Sequence, residues 1–125
     1  MANNTFLPYG RQLVDENDIK SVERVLRSDY LTTGSATDEF EARLAETTGA
    51  KYAICVSSGT AALHLSAVLL GLGPGDVVVV PTITFVATAN VARYVGADVV
   101  FSDVDPETGL MRPEDLIHAL KRAEG

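Results

Sequence analysis

The 125 residues are 46% hydrophobic and 22% charged, with a formal net charge of −7 at pH 7, the makeup of a soluble globular chain long enough to bury a core. That acidic balance argues against a nucleic-acid partner, which needs a basic face. The apolar runs are broken by His64, Pro81 or glycines well short of a membrane span.

In chain order, Met1 to Pro8 is short and lacks an apolar core, so it does not read as a signal peptide. Asn3-Asn4-Thr5 matches a glycosylation pattern that has no meaning without secretion. An extended arm, Phe6 to Gly10, precedes a helix expected over Asp15–Ser28, with Ile19, Val22 and Leu26 on one buried face. A mixed polar and aromatic loop, Asp29 to Gly34, follows. A second helix is expected over Thr37–Thr48, with Phe40 and Leu44 inward and Gly49 as its stop.

From residue 51 the pattern changes. Tyr52–Val56 reads as a strand, Thr60–Leu70 as a helix apolar nearly all round and so suited to burial between layers, and Val77–Val80 as a strand buried on both faces. A helix to about Val95, a strand over Asp98–Ser102 and a helix from Pro113 to about Ala123 complete the series. Cys55, the single cysteine, cannot form an internal disulfide and reads as a small buried hydrophobe in a reducing cytoplasm. His64 reads as a hydrogen-bonded core histidine rather than a metal ligand, and His118 as exposed. The alternation is that of an α/β fold with a largely parallel sheet, divided into residues 1–50 (arm, two helices and a loop) and 51–125 (a βαβαβα series).

Ligands in such sheets gather at the carboxyl ends of the strands. The loops after Val56 and after Val80 lie at that edge. In the first, Ser57-Ser58-Gly59-Thr60 turns a strand into a helix, whose N-terminus offers unpaired N–H groups and partial positive charge to a phosphate or carboxylate. Gly59 permits close approach of a ligand to the backbone, and Thr60 adds a hydroxyl. No lysine follows Gly59 as a P-loop requires, and Gly71-Leu72-Gly73-Pro74-Gly75 follows a helix with the wrong spacing for a dinucleotide fingerprint.

The run Tyr30-Leu31-Thr32-Thr33-Gly34, the segment from Phe40-Glu41 through Gly49-Ala50-Lys51-Tyr52-Ala53, Ser57-Ser58-Gly59-Thr60-Ala61-Ala62-Leu63, Pro81 to Asn90, and Asp103-Val104-Asp105-Pro106 together resemble the DegT/DnrJ/EryC1/StrS sugar aminotransferases over nearly the whole chain. The resemblance implies the N-terminal part of the large domain of a pyridoxal-phosphate-dependent transferase of fold type I, a three-layer α/β/α arrangement incomplete here. It implies transfer of an amino group, usually from glutamate, to a nucleotide-linked keto sugar by a cytoplasmic homodimer. Within the family, the Tyr9 arm and the Asp29–Gly34 loop look most like enzymes aminating a UDP-linked 4-keto-6-deoxy hexosamine, those of the pseudaminic-acid pathway nearest. Gly59 and Thr60 would hold the phosphate of pyridoxal 5′-phosphate and Phe85 would stack on its ring. Tyr9, Asp29, Tyr30, Leu31 and Thr32 would line the sugar-nucleotide pocket. Taken alone, Phe85 reads as a core aromatic and the other five as a surface arm and loop.

The family's Schiff-base lysine stands downstream of the matched segment, and none of Lys20, Lys51 and Lys121 has its context. The chain by itself is therefore expected to be inactive and to bind the cofactor weakly. A sugar 3-dehydratase of the same family and a non-catalytic phosphate-binding module are the alternatives. In the family the first strand is not the neighbour of the next two, so Tyr52–Val56 would lack its partners and apolar sheet edges would be open. The isolated chain is expected to self-associate or melt without cooperativity; a monomer in sedimentation velocity with a sharp calorimetric transition would overturn that.

Overall fold

The only strand pairing among the described residues joins β1 (Val77–Pro81) and β2 (Asp98–Ser102). The computed structural model describes residues 10–123. The two strands run parallel in register from Val77 opposite Asp98 to Pro81 opposite Ser102. The element order is α1 (Glu16–Leu26), α2 (Ser35–Thr48), α3 (Gly59–Leu69), β1, α4 (Ala87–Tyr94), β2 and α5 (Pro113–Ala123). The chain forms two compact units, Met1–Cys55 and Val56–Gly125. No helix among the described residues is long and apolar enough to cross a membrane.

In the second unit α4 and α5 each pack on both strands, while α3 packs on α4. Helices that share both strands but not each other's surface lie on opposite faces, so the unit is a small three-layer α/β fragment. Its core is built from small residues: Val80, Ala87, Val91, Ala92, Ala97 and Ala119 are buried, with Ala67 of α3. Small side chains let helix and sheet approach closely. The turn from α4 into β2 needs Gly96, which has φ +84°, and a Cβ there would stand 3.2 Å from the Pro74 ring.

In the first unit Asp15 caps α1, accepting the Asn17 and Asp18 N–H groups at 2.7 and 3.1 Å while the Asp18 carboxylate takes the Asp15 N–H at 2.9 Å. This is a capping box with aspartate in place of the usual glutamate or glutamine. Gly49 ends α2 in the left-handed conformation, as its position after Thr48 predicts.

Four expectations are corrected. Tyr52–Val56 forms no strand, because no described strand pairs with it; instead the Glu41 carboxylate takes the Cys55 N–H at 2.6 Å. Ile19, Val22, Leu26 and Phe40 are all more than half exposed, and Leu44 is also exposed, since no other described element packs closely on α1 or α2. The α3 helix is not enclosed: α4 covers one side, and Leu69 is 86% exposed. His64 is an exposed residue of α3, edge-on to the Tyr94 ring at 5.4 Å, not a core histidine. Cys55 is half-buried and free, and His118 is exposed as expected.

The start of α5 is fixed by charge. Asp115 is buried and accepts the Arg112 guanidinium through Nε at 2.9 Å and Nη2 at 3.1 Å, and the Arg112 backbone N–H at 3.1 Å. Asp105, in the preceding turn, accepts the Glu107 and Thr108 N–H groups at 3.0 and 2.8 Å and lies 3.4 Å from Arg112 Nη1. Hydrogen bonding by the Arg112 side chain holds the Asp115 carboxyl below its ordinary 3.8. The Thr108 N–H does so for Asp105. The same pairing holds Arg112 protonated further above its usual range. Both carboxyls are depressed, so their stabilisation is present above pH 3.8 and is lost as pH falls through the folded-state values. We predict that amide-exchange protection of α5 drops as pH is lowered from about 5 towards about 2. Asp115→Asn should lower protection at the upper end of that range and flatten the profile. An unchanged profile in the variant would refute the assignment.

Candidate functional site

The α3 helix starts one residue earlier than its apolar pattern suggests, at Gly59, because Ser58 takes the capping position. Ser58 is fully extended at φ −165° and ψ 163°, and its Oγ accepts the Ala61 N–H at 3.1 Å. The Ser58 carbonyl accepts the Ala62 N–H at 3.0 Å. Those two bonds satisfy the third and fourth donors of the helix. The first two, the N–H groups of Gly59 and Thr60, have no partner among the described residues. Two adjacent free donors at the positive end of an 11-residue helix favour an anion there.

Gly59 has no left-handed φ, and a Cβ built on it meets nothing within 4 Å. Neither backbone conformation nor crowding within the chain requires a glycine at this point. The space that a side chain would occupy is open, directly beside the free donors. Thr60 is half-buried, and its hydroxyl is not consumed in capping, since Ser58 performs that role. Ser58 was not singled out from the sequence; the signal available was a serine three residues before an alanine N–H at a helix start.

Phe85 stands between β1 and α4 in the same unit. It is 73% exposed, so the reading as a core aromatic fails. What holds it is backbone and neighbours rather than burial of the ring. The Thr82 N–H extends the ladder by donating to Ser102 O at 2.9 Å. At the other end Thr88 donates its N–H to Phe85 O at 3.0 Å, and Ala89 and Asn90 donate to Val86 O at 3.2 and 3.1 Å. The Thr84 and Thr88 hydroxyls meet at 3.0 Å. Ala87, buried beside Phe85, anchors the loop to the core. Gly59 and Thr60 head the helix that packs on α4, and Phe85 lies two residues before α4 begins.

Asp29, Tyr30, Leu31 and Thr32 lie in the other unit, in the loop from α1 to α2. Tyr30 and Leu31 are exposed. The loop is held from both sides: Ser28 Oγ donates to Val25 O at 2.7 Å or Tyr30 O at 3.2 Å, and Thr33 sits at φ +51° with its hydroxyl on Thr32 O at 2.7 Å. A β-branched residue at positive φ stores strain. Gly34 is required sterically, because a Cβ would stand 2.7 Å from Tyr30 O. Tyr9 lies outside the described residues.

An open groove of about 550 Å³ runs between α1 and α2, lined by Val22, Leu26 and Phe40 with Arg24 and Arg43 at its rim. It is the uncovered face of those helices and contains none of the candidate residues. Lys20 lies on α1 and Lys121 on α5; Lys51 Nζ is 5.1 Å from the centre of the Tyr52 ring. No group of three or more histidine, cysteine or acidic side chains among the described residues could hold a metal ion.

Residues 12–124 match the model of the DegT/DnrJ/EryC1/StrS aminotransferase family. A UDP-4-amino-4-deoxy-L-arabinose–oxoglutarate aminotransferase of Shewanella sediminis is 45% identical over 118 residues, covering 94% of this chain and 30% of that protein. A proposed sugar aminotransferase of Streptococcus pneumoniae, solved in apo, PMP and PLP forms, superposes with a TM-score of 0.82 at 38% identity; the apo form is matched over 90% of this chain and 28% of its own. An aminotransferase of Psychrobacter cryohalolentis gives 0.79 at 36% identity, over 89% of this chain and 29% of its own. The chain thus spans under a third of the length of the relatives it matches.

Gly34→Ala should distort the Asp29–Gly34 loop at a cost of about 1–3 kcal/mol, read as faster amide exchange between Ser28 and Ala36. Unchanged exchange would show that the Tyr30 carbonyl is free to move aside.

Proposed function

The chain belongs to the DegT/DnrJ/EryC1/StrS aminotransferase family, and from that premise we propose that it forms the N-terminal part of a pyridoxal-phosphate-dependent enzyme that aminates a nucleotide-linked keto sugar. Family resemblance and the 45%-identical relative both favour a UDP-linked 4-keto sugar as acceptor and glutamate as donor. A hexosamine is the acceptor that the loop over Asp29–Gly34 favours. The active enzyme is proposed as a cytoplasmic homodimer.

The observation that carries this reading is the pair of free N–H groups at Gly59 and Thr60 beside an open space where a Cβ would stand. A phosphate monoester fits it: two free backbone donors at a helix N-terminus, with a threonine hydroxyl on the second residue, suit an anion. When bound, pyridoxal 5′-phosphate supplies an electron sink for the carbon bearing the transferred amino group. The chain's own residues do the holding. Gly59 and Thr60 bind the phosphate, and the missing side chain at 59 lets it approach the backbone. Phe85 offers a flat apolar face for a pyridine ring. Tyr9, Asp29, Tyr30, Leu31 and Thr32 are proposed to orient the sugar nucleotide. None of the three lysines is proposed to carry the amine chemistry, so the 125 residues recognise the cofactor without performing transfer.

In the complete gene product, Gly59→Ala should leave the apo form's melting temperature unchanged or slightly raised, since the added methyl meets nothing in the chain and alanine is the better helix former. It should weaken cofactor binding by at least about tenfold, the equivalent of about 1.4 kcal/mol. Thr60→Val should weaken it by a smaller factor, about two- to tenfold, for one lost hydrogen bond. Equilibrium titration of the apo protein with pyridoxal 5′-phosphate reads both. Wild-type affinity in Gly59→Ala would sink the phosphate assignment.

A further inference from the structure

Phe85 poses a mechanical problem. A ring that is 73% exposed has few neighbours to fix its direction, yet a stacking face is useful only if it is already in place before the ligand arrives. The loop that carries it has no side-chain cap at the start of α4: Val86, in the capping position, is apolar. Something else must stop the loop from unwinding. The Ala89 and Asn90 N–H groups hold the Val86 carbonyl, but the two contacts that close the loop around Phe85 itself both involve Thr88. Its N–H donates to Phe85 O at 3.0 Å, and its Oγ1 meets Thr84 Oγ1 at 3.0 Å. The first fixes the carbonyl of the residue that bears the ring. The second ties the residue before Phe85 to the first turn of α4, so Phe85 lies inside a closed loop. Buried Ala87 and Val91 hold that turn of α4 against the core, so the clasp joins a loose segment to a firm one.

We propose that Thr88, acting with Thr84 through their paired hydroxyls, is a positioning residue that holds Phe85 in the orientation needed to stack on a planar aromatic ligand. The proposal rests on the assignment of Phe85 to the cofactor ring. Either hydroxyl can donate to the other, so the pairing works without a charge and should not depend on pH over the neutral range. A serine at 88 keeps the oxygen; a valine keeps the shape and removes it.

The test uses the complete gene product in its apo form and reads the dissociation constant of pyridoxamine 5′-phosphate, which stacks without needing a lysine. The variants are Phe85→Ala, Thr88→Val, Thr88→Ser, Thr84→Val and the double variant Phe85→Ala/Thr88→Val, with melting temperature measured for each. Thr88→Val and Thr84→Val should each weaken binding by about two- to tenfold, the range of one neutral hydrogen bond. Thr88→Ser should retain near wild-type affinity. In the Phe85→Ala background Thr88→Val should add nothing further, because a positioning residue has no effect once the group it positions is gone.

Equal losses from Thr88→Val with and without Phe85 would overturn the proposal, since Thr88 would then act on something else. So would a Thr88→Ser variant as weak as Thr88→Val, or wild-type affinity in both valine variants while Phe85→Ala is impaired. If Thr88→Val melts early, Thr84→Val, at an exposed position outside the helix, carries the same comparison. A neutral Phe85→Ala would remove the stacking assignment itself and the positioning role with it, a result distinct from failure of the clasp alone.

Discussion

Parallel pairing of β1 with β2 is the constraint from which the described site follows. Two parallel strands cannot be joined by a tight turn; the chain must leave the carboxyl end of the first and return to the amino end of the second. Here α4 makes that return, so residues 82–86 are obliged to stand at the carboxyl end of β1. The register places the most enclosed residues at that same end, with Val80 and Ser102 both fully buried. Pro81 closes the pairing opposite Ser102 and the Thr82 N–H prolongs it by one bond. The Phe85 loop therefore projects from an enclosed end of the sheet, where an exposed side chain can be held by its backbone.

The same argument explains what is loose. A strand exists only where ladder bonds satisfy its N–H and C=O groups, and residues 52–56 find none among the described residues. Glu41 offers one carboxylate oxygen to one N–H, which anchors the segment without making it a strand. The α3 helix has apolar residues on several faces but, among the described elements, only α4 packs closely against it, so Leu63, Leu65, Val68, Leu69 and Leu70 remain exposed. Such a pattern belongs to a helix with partners on more than one side. The relatives, more than three times as long as this chain, have room for those layers.

Residues whose partners are close in sequence were legible from the sequence. The strand Asp98–Ser102 was located to the residue after the turn at Gly96-Ala97, and the helix Pro113–Ala123 was placed by the proline at its first position, with its end expected at about Ala123. Burial was misjudged where no described partner covers the apolar face: periodicity marks a face as apolar but does not say whether anything covers it. That is why Val22, Phe40 and the outer side of α3 were expected inside, and why Tyr52–Val56 was expected to be a strand. His64 was taken for a core residue because its helix looked enclosed. At the candidate site, the turn into a helix after Val56 could be read from the sequence, but its division of labour could not. Ser58 and Thr60 are both hydroxyl residues near a helix start, and only geometry assigns the cap to one and leaves the other free.

That division bears on how the corner is to be understood. Helix N-termini in general have free donors, and most bind water. What distinguishes this one is a glycine that the chain itself does not need. A left-handed φ would explain it, as at Gly96, and so would a crowded Cβ, as at Gly34; at position 59 neither holds. Glycine at the start of a helix gains less than alanine would, by up to about 1 kcal/mol in a helix interior and less at the first turn. On the proposed reading, the open space is room for a ligand. An anion small enough to sit against the backbone, and attached to a planar ring that Phe85 could face, accounts for both unexplained features, the glycine without a steric reason and the aromatic without a core. Neither feature supplies an amine, so the role we propose for these residues is recognition of a phosphate-bearing aromatic ligand, separable from the chemistry performed on it.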